Sequence, residues 1–167
     1  PTTSQTGSAT KVSRVDEVNF DRTGQQLIFD FATCVPAPGG GDCDDEAWSI
    51  GILDVGTDRF SYPFPSQQSH IDVGFPAFSN KSNDIIVFDY VDWNNNESSV
   101  RIYDRVAKKE ISVVDPDAKT NPTGAWGMPS FVGEDKAVMF SSVYDSSIQT
   151  WQVNLNADYS VDTENKF

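Results

Sequence analysis

One pattern recurs three times along the chain and limits what it can fold into. The segments beginning at Val18 (VNFDRTGQQLIFDFAT), Phe75 (FPAFSNKSNDIIVFDYV) and Met128 (MPSFVGEDKAVMFSSVY) align with one another. Each holds a short stretch ending in Phe20, Phe78 or Phe131, then a polar turn, then an alternating apolar stretch with a second aromatic at Phe29, Phe88 or Phe140. The copies follow at roughly 50–60 residues, the scale at which repeat units stack on one another. Each copy continues into a third alternating stretch: AWSIGILDV from Ala47, SVRIYDRV from Ser99 and IQTWQVNL from Ile148. A shorter fourth follows: RFSYPFP from Arg59, EISVV from Glu110 and DYSVDT from Asp158. Alternation with period two is strand patterning, and no window of about 12 residues repeats apolar positions at helical spacing. The expected class is all-β.

Composition agrees. Of the 25 acidic residues, 19 are Asp, and the chain adds 11 Gly and 9 Pro. Asp and Asn compete with the helical backbone for hydrogen bonds and favour turns. Asp21-Arg22-Thr23-Gly24 and Asn80-Lys81-Ser82-Asn83 are suitable hairpin turns between the first and second strands. Pro63 and Pro65 fall in the first fourth-strand segment, and proline, lacking an N–H, suits an outer edge. Four strands per repeat, each sheet hiding its faces against the next, predict a β-propeller arc of three four-stranded antiparallel blades. The expected division is 1–15 as a linker or closing strand, 16–66 as blade 1, 67–115 as blade 2 and 116–167 as blade 3. Residues 11–15 are expected to be the last strand of a preceding blade or part of the propeller's closure. Three blades leave an open arc, which predicts a piece of a propeller of about six to eight blades, or closure by a second copy or another protein chain.

The repeats resemble the TolB-type propeller repeat, a relative of the WD repeat. Pro76-Ala77-Phe78-Ser79 with Ile85-Ile86-Val87-Phe88 carries the likeness, and Val100-Arg101-Ile102-Tyr103-Asp104 supplies its third-strand element. Pro129-Ser130-Phe131 with Ala137-Val138-Met139-Phe140 is a second copy. Val18-Asn19-Phe20-Asp21, Thr23-Gly24 and Leu27-Ile28-Phe29 form a third, which lacks the proline. The Asp-Gly turn of the family pattern is replaced by Lys81-Ser82-Asn83 and Glu134-Asp135. The likeness spans the chain from about residue 16 and is far more specific for fold than for function. It implies a periplasmic scaffold that binds partner proteins through one propeller face.

The net charge is −13. A nucleic-acid partner would require clustered Lys and Arg, and an anionic membrane surface would require the same. No apolar run approaches the roughly 20 residues of a membrane helix. An acidic, Asn- and Ser-rich chain low in Lys fits an extracellular or periplasmic setting. Cys34 and Cys43 flank a Gly/Pro-rich loop, and a disulfide between them suits that setting. The pattern Cys-x-x-Cys-His is absent.

Propeller loops between strands 2 and 3, and between blades, share one end of the fold. That end is expected to gather a ligand- or partner-binding face of His70, Asp72, Asp92, Trp93, Trp126, Tyr144 and Asp145, beside the acidic run Asp42, Asp44, Asp45 and Glu46. An acidic, aromatic surface suits a cation, a sugar ring or a basic segment. His70 is the only histidine, and no G-x-S-x-G elbow accompanies it, so a loop contact rather than catalysis is expected of it. Asp92, Asn94 and Asn96 begin like a calcium loop, but Glu97 and Tyr103 break the EF-hand pattern. Two looser Ca²⁺ sites remain candidates, one at Asp92, Asn94 and Asn96, the other at Asp42, Asp44, Asp45 and Glu46; no other cofactor is indicated. Trp48 and Trp151, on third strands, are expected to be buried between blades. Asn80-Lys81-Ser82 and Asn96-Glu97-Ser98 fit the glycosylation sequon.

The leading expectation is a non-catalytic binding module. The alternatives are the accessory propeller of a larger enzyme, of the prolyl-oligopeptidase or polysaccharide-lyase kind, and a structural subunit of a surface or redox assembly.

Overall fold

Three antiparallel sheets follow one another along the chain, and no helix occurs among the described residues. The computed structural model describes residues 2–4, 9–36, 43–64, 70–114, 126–144 and 147–163. The first sheet has the order β1 (Thr2–Ser4), β2 (Ala9–Phe20), β3 (Gln26–Pro36), β4 (Cys43–Asp54) and β5 (Arg59–Ser61). The second is β6 (Ile71–Phe78), β7 (Ile85–Asp92), β8 (Glu97–Asp104) and β9 (Lys109–Ser112). The third is β10 (Trp126–Val132), β11 (Ala137–Tyr144) and β12 (Ser147–Asn154). Every strand pairs with its sequence neighbour, so each sheet is a meander.

Sheet packing follows from the residue pattern. In β7 the run Ile85-Ile86-Val87-Phe88 is apolar on both faces, because both faces are covered. Ile86 and Phe88 join Ile28, Ile50 and Ile52 of the first sheet in one core. Ile85 and Val87 join Phe131, Val138, Phe140 and Val153 of the third sheet in another. The middle sheet is thus the slice between two greasy layers. The exposed side of the first sheet carries its own aromatic cluster, in which Phe60 meets Phe29 at 5.6 Å and Tyr62 at 4.8 Å between ring centroids.

The strand positions correct the sequence reading in three places. Residues 11–15 belong to β2, with Val12, Arg14 and Val15 paired to β3, so they are part of the first sheet rather than the last strand of a preceding blade. β5 stops at Ser61, before Pro63, because proline has no N–H to extend the ladder. Among the described residues the third sheet has three strands; after β12, Leu155 and Val161 form a single antiparallel bridge. There the segment Asn156–Ser160 folds into a turn held by Asn156 and Asp158.

The inner strands share one irregularity. Register shifts fall between Val15 and Val18 in β2, Gly74 and Ala77 in β6, and Gly127 and Ser130 in β10. Phe75 and Met128, which occupy corresponding places in these bulges, have positive φ of 46° and 52°. A bulge turns the inner strand and re-aims its backbone amides.

Candidate functional site

At the end of the second sheet where β6 begins and β7 ends, His70 and Trp93 flank the paired residues Ile71 and Asp92. The amide of Trp93 donates to the carbonyl of His70 at 3.0 Å, closing that end of the hairpin. Asp72 then fixes the side chain: Trp93 Nε1 donates to Asp72 Oδ2 at 2.6 Å. The other oxygen of Asp72 accepts the amide of Trp48 at 2.8 Å, tying β6 to β4 of the preceding sheet. One carboxylate therefore joins two blades and orients an indole whose body is left 64% exposed. An amphipathic ring with its N–H satisfied and its face in water is a contact surface held ready.

Asp92 lies beside it. Its carboxylate accepts the amides of Asn94 and Asn95 and the side-chain amide of Asn95, with Asn96 closing the turn at φ 53°. Burial pushes this carboxyl up, but those hydrogen bonds and the nearby His70 outweigh it and hold it below its ordinary range. His70 Nε2 stands 4.0 Å from Asp92 Oδ1. The 92–94–96 spacing that reads as a calcium loop serves here as a hydrogen-bonded turn. Among the described residues no group of three or more His, Cys, Asp or Glu is placed to hold a metal.

Of the predicted face, the structure brings together His70, Asp72, Asp92 and Trp93. Trp126 opens β10 and Tyr144 ends β11, at the corresponding end of the third sheet; their side chains, and Asp145, lie outside the described residues. So do Asp42 and the side chains of Cys43, Asp44 and Asp45. Cys34 sits on β3, and Cys43 opens β4 opposite Pro36. Glu46 accepts from Ser13 Oγ at 3.0 Å and pairs with Arg14 at 3.4 Å. Trp48 is half-buried, with the Arg14 guanidinium 4.7 Å from its ring centroid, rather than sealed between blades. Trp151 packs against the second core and donates Nε1 to Ser142 Oγ at 2.8 Å.

The sequence reading missed a second set of carboxylates, Asp30 and Asp89. Their signal was the repeated Phe-Asp of Phe29-Asp30 and Phe88-Asp89. Asp30 Oδ1 accepts the amide of Glu17 at 2.7 Å and its Oδ2 the amide of Phe75 at 2.9 Å, so it clamps the bulges of two successive inner strands. Asp89 is only 9% exposed, and its Oδ1 has no hydrogen-bond partner. Desolvation pushes its carboxyl up to about 7, the Asp30 and Asp72 carboxylates add to the rise, and the Gly74 amide opposes it. Gly74 lies between the two acids: a Cβ there would stand 3.1 Å from both Asp30 Oδ2 and Asp89 Oδ1.

No protein-family model matches the sequence, and no curated protein does. Solved structures match by shape. A protein described as a dipeptidyl aminopeptidase IV from Bacteroides ovatus superposes with a TM-score of 0.56 at 10% identity, over 82% of this chain and 22% of its own. An oligogalacturonate lyase in complex with manganese superposes with a TM-score of 0.56 at 7% identity, over 90% of this chain and 39% of its own. The chain thus spans well under half the length of these structures. Together with the three stacked meanders, the likeness makes the fold an arc of a β-propeller.

Proposed function

We propose that the chain is a non-catalytic TolB-like propeller module that binds a protein or other ligand through the face holding His70, Asp72, Asp92 and Trp93, in an extracellular or periplasmic setting. The observation that carries this reading is the Asp72 carboxylate holding an exposed Trp93 by its indole N–H. An aromatic fixed in place loses little conformational entropy on contact and suits recognition. Trp126 and Tyr144, at the corresponding end of the third sheet, and Asp145, next in sequence, are the proposed continuation of this face. The pairing of β3 with β4 up to Pro36 and Cys43 supports a Cys34–Cys43 disulfide, in keeping with an oxidising compartment. A protein partner or a second copy covers the open blades. The test is a panel of basic peptides, hydrophobic peptides and glycans against the wild-type chain and Trp93→Ala. Binding by any class that is lost with Trp93→Ala supports the reading; no binding in any class overturns it.

A second reading is favoured by the structural neighbours, a peptidase-type protein and a lyase, of which this arc matches only a part. In it the chain is the accessory propeller of a larger enzyme. The domain content of the full-length gene decides: a hydrolase or lyase region encoded with the arc supports it, and its absence counts against it.

A further inference from the structure

We infer that the Trp93–Asp72 corner receives an arginine side chain from a basic segment of a partner protein; this rests on the reading of that face as a binding surface. The molecule shows the arrangement twice with its own arginines. Over Trp48, the Arg14 guanidinium lies 4.7 Å from the ring centroid and 3.4 Å from Glu46 Oε2. Over Tyr90, the Arg101 guanidinium lies 3.3 Å from the centroid and 2.8 Å from Glu110 Oε2. In each case a ring face and a carboxylate share one cation.

Trp93 and Asp72 supply the same two parts, and no guanidinium stands over this ring among the described residues. Donation of the indole N–H to a carboxylate pushes electron density into the ring, which strengthens its attraction for a cation. Asp72 keeps acceptor capacity, since each carboxylate oxygen offers two lone pairs and each here takes one donor. The net charge of −13 draws cations toward the surface from a distance and repels anionic ligands. Arginine fits better than lysine because its planar guanidinium can stack on the indole and reach the carboxylate at once.

The test is titration of the chain with tetra-arginine amide, tetra-lysine amide and a neutral cello-oligosaccharide, following the Trp93 indole N–H by NMR and affinity by calorimetry. Tetra-arginine is expected to shift that resonance saturably and to bind several-fold tighter than tetra-lysine. Trp93→Ala, a change at an exposed ring, is expected to weaken tetra-arginine about tenfold. Equal binding of both peptides with Trp93 unmoved, or unchanged affinity in Trp93→Ala, means diffuse charge attraction and overturns the inference. If the oligosaccharide moves Trp93 and tetra-arginine does not, the arginine assignment fails while the binding face stands. If no probe moves it, both fail.

Discussion

The side-chain amide of Asn83 donates to Asp21 Oδ2 at 2.7 Å, from the first hairpin turn of one blade to that of the blade before it. One blade further on, Ser79 Oγ donates to Asp135 Oδ2 at 2.5 Å. Asn83 and Asp135 hold equivalent places, five residues before Phe88 and Phe140, and Asp21 and Ser79 each follow the first aromatic. The turn positions that depart from the Asp-Gly pattern therefore staple successive blades. Burial raises the Asp21 carboxyl, but hydrogen bonds from Gln26, Thr23 and Asn83 outweigh it and hold it far below its ordinary range. Removing Asn83 or Asp21 alone is expected to destabilise the chain by about 1–3 kcal/mol. The Asn83→Ala, Asp21→Ala double-mutant cycle is expected to show coupling of about 1 kcal/mol by urea unfolding; additive effects would mean the contact contributes nothing.

Asp89 gives the stability curve its direction near neutral pH. Its folded carboxyl titrates at about 7, above the value of about 4 in an unfolded chain. Between these values the folded state holds the extra proton, so stability falls as pH rises from about 4 to 7 and then levels off. The loss is of order 3–4 kcal/mol at most. Asp21 and Asp135 act oppositely: hydrogen bonds keep them low despite desolvation, so their stabilisation is present above about pH 4 and lost in more acid solution. Asp89→Asn is expected to raise the urea midpoint at pH 8 and change it little at pH 5. A variant equally stable relative to wild type at both pH values would contradict the assignment.

The repeat made the meander order of the sheets legible, because Phe20, Phe78 and Phe131 mark each inner strand and Ile85–Phe88 reads as a strand buried on both sides. Pairing of Asp72 with Trp93 was legible only as shared location: both lie at one end of the hairpin, but no spacing rule says that an indole nitrogen meets that carboxylate. Asp30 and Asp89 were missed because Asp in an acidic, turn-rich chain looks solvated. Asp30 is held by amides that the bulges at Glu17 and Phe75 turn toward it, and Asp89 lies buried beside Gly74 of the same bulge, which alternation alone does not reveal. Residues 11–15 read as a separate segment because polar residues interrupt the apolar pattern of β2, a strand exposed along most of its described length.

Gly74 is required by closeness to two acids. A methyl at this position meets Asp30 Oδ2 and Asp89 Oδ1 at 3.1 Å each, and Asp30 is already fixed by two amides. Gly74→Ala is expected to cost about 1–3 kcal/mol by crowding. Most of that cost should persist at pH 5, where Asp89 is protonated, because the clash is steric. Thermal melts at pH 5 and 8 check this; a variant as stable as wild type at both would show that the inner strand yields.

Phe88 and Phe60 separate the inter-blade core from the outer aromatic cluster. Phe88 is fully buried between the first two sheets and meets Phe64 at 4.9 Å between centroids. Phe60 sits on the open side of the first blade and is 40% exposed. Phe88→Ala empties a site walled by Ile28, Ile50 and Ile52, which cannot collapse without moving a whole blade, and is expected to cost about 3–5 kcal/mol. Phe60→Ala removes a ring that water already reaches and is expected to cost about 1–2 kcal/mol. Urea unfolding of the two variants ranks them. If Phe60→Ala proves the more damaging, the open face of the first blade, rather than the layer between blades, holds the arc together.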